Sequence, residues 1–101
     1  MKTLLLATNK GMQKHVGEEF DDIHEVPAII TLDEMQGQAN LIRNKIRYLA
    51  SLDIKDNLDP IINVTVETTP FFDVILVSLS DMMKKEEKIE IILPERYNKN
   101  R

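Results

Sequence analysis

The feature that most limits what this chain can fold into is the run Leu4-Leu5-Leu6-Ala7, which breaks off into Thr8-Asn9-Lys10-Gly11. A strand with one wet face alternates apolar and polar residues. An unbroken apolar run instead needs cover on both faces, which is the condition of a strand inside a parallel sheet. Thr3 to Ala7 is therefore read as a fully buried strand. The same run is too short for the core of a signal peptide or for a membrane span, so no membrane association is expected.

The rest of the chain fits that frame. From Gly11 to Phe20, Met12, Val16 and Phe20 recur at a spacing of four, which predicts a short amphipathic helix interrupted by Gly17. Ile23 to Ile30 is read as a second strand, with Pro27 limiting its ladder. Thr31 followed three residues later by Glu34 is a capping-box pattern. Met35, Ala39, Ile42, Ile46 and Leu49 then mark one face of a helix from about Leu32 to Ser51, with Arg43, Lys45 and Arg47 opposite. Ile61 to Val66 is a third strand.

At 70–80 the reading forks. Pro70 at a first helical position, capped by Thr69, would open a helix running to about Glu87. The β-rich stretch "FFDVILVSL" could instead return as an antiparallel strand. Its length and the following "SDMMKKEEK" favour the helix, whose apolar residues nearly encircle positions 71–79. Lys88 to Leu93 closes the pattern as a strand. The order β-α-β-α-β-α-β implies an α/β fold, with a parallel sheet of about four or more strands and helices on both faces. Residues 1–94 form one domain in this reading, and 95–101 a polar C-terminal tail.

Composition removes several classes of function. The chain has no cysteine among its 101 residues, which excludes disulfides, thiolate metal sites and a thiol nucleophile and fits a reducing cytoplasm. Its formal net charge is -4, so no binding to a long nucleic acid is expected. His15 and His24 suggest no metal site, and His15 reads as a surface residue. Glu18, Glu19, Asp21 and Asp22 read as a solvated helix end, whose carboxylates could at most bind Mg²⁺ weakly. No cofactor is expected.

Ligands of open parallel sheets bind beyond the carboxyl ends of the strands. Two loops lie there. In "ATNKG", Thr8, Asn9, Lys10 and Gly11 could hold a phosphate, or make only a turn with a solvated lysine. In "VETTP", Thr68 and Thr69 could bind a ligand, or only cap a helix. A third stretch, "LDEMQGQAN", sets Gln36 and Gln38 around Gly37. A glycine inside a helix costs about 1 kcal/mol relative to alanine. It is either tolerated or permits close approach of a ligand or a partner helix.

The Thr-containing loop after the first strand, and the later "INVTVETTPFFDVIL", resemble the CRISPR-associated Rossmann fold (CARF), and the short length is similar to its stand-alone ring nucleases. The paired glycines usual in the family's later loop are absent; Thr65, Thr68 and Thr69 stand in that region. The resemblance implies a small Rossmann-like domain and a cytoplasmic homodimer. It implies binding of a cyclic oligoadenylate, usually the tetramer, across the two-fold axis. It also implies metal-independent cleavage, in which a ribose 2′-hydroxyl attacks the adjacent phosphodiester. Lys10 and Thr69 would be catalytic. Thr8, Asn9, Gly11, Gln36, Gln38 and Thr68 would bind the ligand. A non-enzymatic protein of a defence or anti-defence system, one that sequesters a nucleotide or binds a protein, is the alternative. "LLLATNKGMQK" is also similar to the opening of non-canonical purine nucleotide pyrophosphatases, although Asn9 directly follows Thr8 here and the chain is shorter than such enzymes.

Overall fold

A computed structural model describes residues 1–28, 31–53, 60–67, 72–84 and 88–93. Its elements are β1 (Lys2–Ala7), α1 (Asn9–Met12), a 3-10 turn (Gln13–His15), β2 (Asp22–Glu25), α2 (Leu32–Asp53), β3 (Ile61–Glu67), α3 (Phe72–Met83) and β4 (Glu90–Ile92). The strands form one sheet in the order β2-β1-β3-β4, and every neighbouring pair is parallel. The fold is α/β and Rossmann-like. Among the described residues no helix is long and apolar enough to cross a membrane.

The period-two geometry of strands sorts the sheet into faces. Leu4 and Leu6 of β1 sit beside Val64 and Val66 of β3 in the pairing register. With Ile62 they meet Met35, Ala39, Ile42, Ile46 and Leu49 of α2, and Leu79 and Met83 of α3, in one apolar core. Burying a side chain such as Ile42 or Ile46 contributes about 1.5–3 kcal/mol. The opposite face carries Leu5, Ala7, Asn63, Thr65 and Glu67. The 3-10 turn lies on that side, because Lys14 and His15 reach the Glu67 carboxylate. Leu5 and Ala7 are as deeply buried as Leu4 and Leu6. That is why β1 shows no alternation.

Several elements differ from the pattern in the sequence. The helix expected over Gly11 to Phe20 begins earlier, at Asn9, and finishes in the 3-10 turn at His15. Gly17, at φ 92°, turns the chain away, and Val16 is left exposed. The spacing-of-four stripe therefore never forms. Strand β2 stops at Glu25, short of the expected Ile30. Val26 still donates its N–H to the Ala7 carbonyl at 2.9 Å, but Pro27 has no N–H to extend the ladder. Ile29 and Ile30 lie outside the described residues. Asp21 is not merely solvated. Its carboxylate accepts from the Thr3 N–H at 2.7 Å and from the Thr3 hydroxyl at 3.1 Å, which pins the entry of β2 to β1. These bonds, led by the backbone one, hold the Asp21 carboxyl below its ordinary range.

Helix α2 starts as expected. The Thr31 hydroxyl oxygen accepts from the Glu34 N–H at 3.2 Å, and the hydroxyl lies 3.1 Å from the Glu34 carboxylate. It ends two residues later than expected, at Asp53, whose buried carboxylate accepts from the Met1 amino group at 3.1 Å and from the Ile61 N–H at 3.2 Å. At 70–80 the helix form holds over Phe72–Met83. It is less enclosed than its composition suggests, since Val77 is exposed. Thr69, Pro70 and Phe71 lie outside the described residues, as do Glu87 and the tail from 94 to 101.

One contact ties the strand ends together. A Cβ added to Gly11 would lie 2.2 Å from the Glu67 carbonyl oxygen. The atom in the way is backbone, so the clash cannot be relieved by turning a side chain. Gly11→Ala is expected to cost about 1–3 kcal/mol. In urea melts its midpoint should fall with the slope unchanged.

Candidate functional site at the carboxyl ends of β1 and β3

The strand order creates a topological switch point between β1 and β3, the position at which open α/β sheets have a crevice. The chain leaves β1 toward β2 on one side and leaves β3 toward β4 on the other. The loop after β1 therefore leaves at this switch point, the place where open α/β sheets take their ligands. Ala7 and Glu67 are register partners at this point.

Thr8 is buried and caps α1. Its hydroxyl oxygen accepts from the Gly11 N–H at 3.1 Å, its own N–H donates to the Glu67 carbonyl at 3.1 Å, and its carbonyl accepts from the Met12 N–H at 2.9 Å. Thr8 thus has a structural task, and its hydroxyl proton is left to offer. Asn9 and Lys10 are exposed beside it, and Gly11 is buried against β3. Thr68 and Thr69 lie outside the described residues. Gln36 is exposed in the first turns of α2, the end of that helix nearest the carboxyl ends of the strands.

Gln38 points to a neighbour that the sequence did not single out for it. Its Oε1 lies 2.6 Å from Nε2 of the buried His24, which fits a ring protonated at Nε2. Burial pushes the His24 pKa down, and Lys45 adds to this. The Gln38 hydrogen bond and Asp22 act against it. Lys45 also donates to the Ile23 carbonyl at 2.9 Å and stands 3.7 Å from Asp22.

The residue that the sequence undervalued is His15. It is no free surface group. Its Nδ1 contacts the Glu18 carboxylate, its Nε2 stands 3.4 Å from Glu67 Oε1, and its ring meets Phe20 edge-on with centroids 5.9 Å apart. Nε2 is buried, and the Glu67 contact is too loose to count as a hydrogen bond. Lys14 adds a cation 3.9 Å from the other Glu67 oxygen. The acidic side chain at the rim of the crevice is therefore partly offset by its neighbours. Only the pairing of β3 with β1 brings Glu67 to His15, and no local sequence signal announces it. Among the described residues no group of three His, Asp or Glu side chains is arranged to hold a metal ion.

No protein-family model, curated protein or solved structure matches this chain.

The geometry at His24 gives a pH test. Burial makes this ring harder to protonate in the folded protein than in the unfolded chain, which takes up a proton as pH falls through the ordinary value of 6.5. Its contribution is thus fully present above that pH and shrinks below it, until the lowered folded pKa is passed. Between about pH 7 and pH 5 the wild type should lose more stability than His24→Asn, as read from urea melts at each pH. Equal slopes would show that His24 does not bind its proton differently in the two states.

Proposed function

We propose that this protein binds a cyclic oligoadenylate at the carboxyl ends of β1 and β3 and cleaves it without a metal ion. One observation carries the reading. The strand order puts Thr8–Gly11 at a topological switch point, where Asn9 and Lys10 stand exposed beside the register pair Ala7 and Glu67. A phosphodiester could therefore meet the exposed side chains of Asn9 and Lys10. In the proposed reaction a ribose 2′-oxygen attacks the adjacent phosphorus. The 2′-hydroxyl gives up its proton to water, the 5′-oxygen leaves and takes one up, and the ring opens to a linear product with a 5′-hydroxyl and a 2′,3′-cyclic phosphate. The protein orients the ligand in line, and Lys10 offsets the charge that builds on the non-bridging oxygens. Thr8 and Asn9 contact ribose or phosphate in this scheme, with Gln36, Gln38, Thr68 and Thr69 as further contacts.

A second reading keeps the ligand and drops turnover. It is favoured by how fully the described polar groups near the crevice are engaged. Thr8 caps a helix, and Glu67 faces Lys14 and His15. That arrangement suits a rigid receptor that sequesters the ring.

Incubation with cyclic tetra- and hexa-adenylate in the presence of a chelator, followed by chromatography, separates the readings. Linear product from one ring size supports cleavage. Calorimetric binding with the ring intact supports sequestration. Absence of both removes the nucleotide reading. Lys10→Ala should lower turnover roughly tenfold or more while the melting temperature stays unchanged, because Lys10 is exposed and outside the core. Unchanged turnover would take Lys10 out of the site.

A further inference from the structure

Strand β2 lies at the edge of the sheet, so one side of its backbone has no neighbouring strand. Alternate residues of an edge strand bond to the neighbour, and the residues between them turn both N–H and C=O outward. The Val26 N–H turns inward, onto the Ala7 carbonyl. His24 shares that inward side, and Ile23, Glu25 and Pro27 fall on the outward one. Ile23 is also 45% exposed. Free outward groups beside such a side chain would be a template for a further strand.

Neither group of Ile23 is free. Its N–H donates to the Asp22 carboxylate at 2.8 Å, and its carbonyl accepts from the Lys45 ammonium at 2.9 Å. The two side chains come from different elements, β2 and α2, and stand 3.7 Å apart as an ion pair over this one residue. Farther along the outward side, Glu25 is an exposed carboxylate and Pro27 has no N–H to offer.

A partly exposed ion pair adds little to stability, so stability does not account for a lysine drawn from the helix onto the strand edge. The pair occupies instead the two main-chain groups that an added strand would bind. We propose that Asp22 and Lys45 together close the β2 edge to strand addition. To pair here, an incoming strand must displace a carboxylate and an ammonium from Ile23 and leave both charges beside the new ladder. In a solution of the purified protein the strand kept out is β2 of another copy. About a two-fold axis two copies of β2 run antiparallel, and the two Ile23 residues could exchange both hydrogen bonds.

Removing the pair tests the proposal. Asp22→Ala with Lys45→Met takes away both partners of Ile23, leaves the net charge at -4 and keeps the apolar stem of the lysine. Asp81→Ala with Lys84→Met makes the same change at an exposed ion pair of α3, where the charges stand 3.5 Å apart, and serves as the control. In sedimentation equilibrium the Asp22/Lys45 variant should self-associate roughly tenfold or more tightly than the wild type, and the control should match the wild type. Ile23→Pro added to the Asp22/Lys45 variant removes the N–H that an incoming strand would bond. That N–H faces outward, so the proline breaks no bond to β1, and association should return to the wild-type level. A urea melt of each variant shows whether it is folded. If the double variant does not fold, Lys45→Met alone carries the test, because it frees the Ile23 carbonyl and should still associate more tightly than the wild type. Association of the variant no tighter than that of the wild type would overturn the proposal. So would equal association of the control, or association that survives Ile23→Pro.

Discussion

The end of β1 is fastened to the end of β3 by backbone alone. Thr8 donates its N–H to the Glu67 carbonyl, and Gly11 passes so close to that carbonyl that only a hydrogen fits in place of a side chain. The rest of the carboxyl side depends on this contact. It sets where α1 begins and puts the Thr8 hydroxyl in position to cap it. It also brings Glu67 within reach of Lys14 and His15 on the far face of the sheet. A larger residue at position 11 would push α1 off β3 and disturb all of these at once.

The two faces of the sheet are held by different means. On one side α2 and α3 bury Leu4, Leu6, Ile62, Val64 and Val66 through apolar area, and the fixed points are the Thr31 cap at one end of α2 and Asp53 at the other. On the other side the described cover is short, and polar contacts take a larger share. These are Asp21 on Thr3, and His15 with Lys14 on Glu67. The helical face is thus built for stability. The opposite face carries charges up to the carboxyl end of β3.

Much of the fold was legible in the sequence, and the reasons are physical. The unbroken apolar run at Leu4–Ala7 reported burial on both faces, and the alternation at Ile62, Val64 and Val66 reported one deep face. The stripe from Met35 to Leu49 with its Thr31 cap marked α2 almost to the residue. Boundaries set by a distant partner were not legible. Helix α2 runs on to Asp53 because that carboxylate is used by residues far along the chain. The stripe Met12, Val16, Phe20 looked helical, but Gly17 at positive φ cut it short. At the candidate site, the β1 loop was visible from its position after a buried strand. The environment of His15 was not, because Glu67 joins it only through the parallel pairing of distant strands rather than through any local motif.

The central claim is that the crevice between β1 and β3 is where this protein meets its ligand. Amide chemical-shift mapping during titration with cyclic tetra-adenylate tests it most directly. The account predicts that the largest shifts fall on Thr8, Asn9, Lys10, Gly11 and Glu67. Shifts concentrated at the opposite end of the sheet, around Lys2 and Ile61, would contradict it.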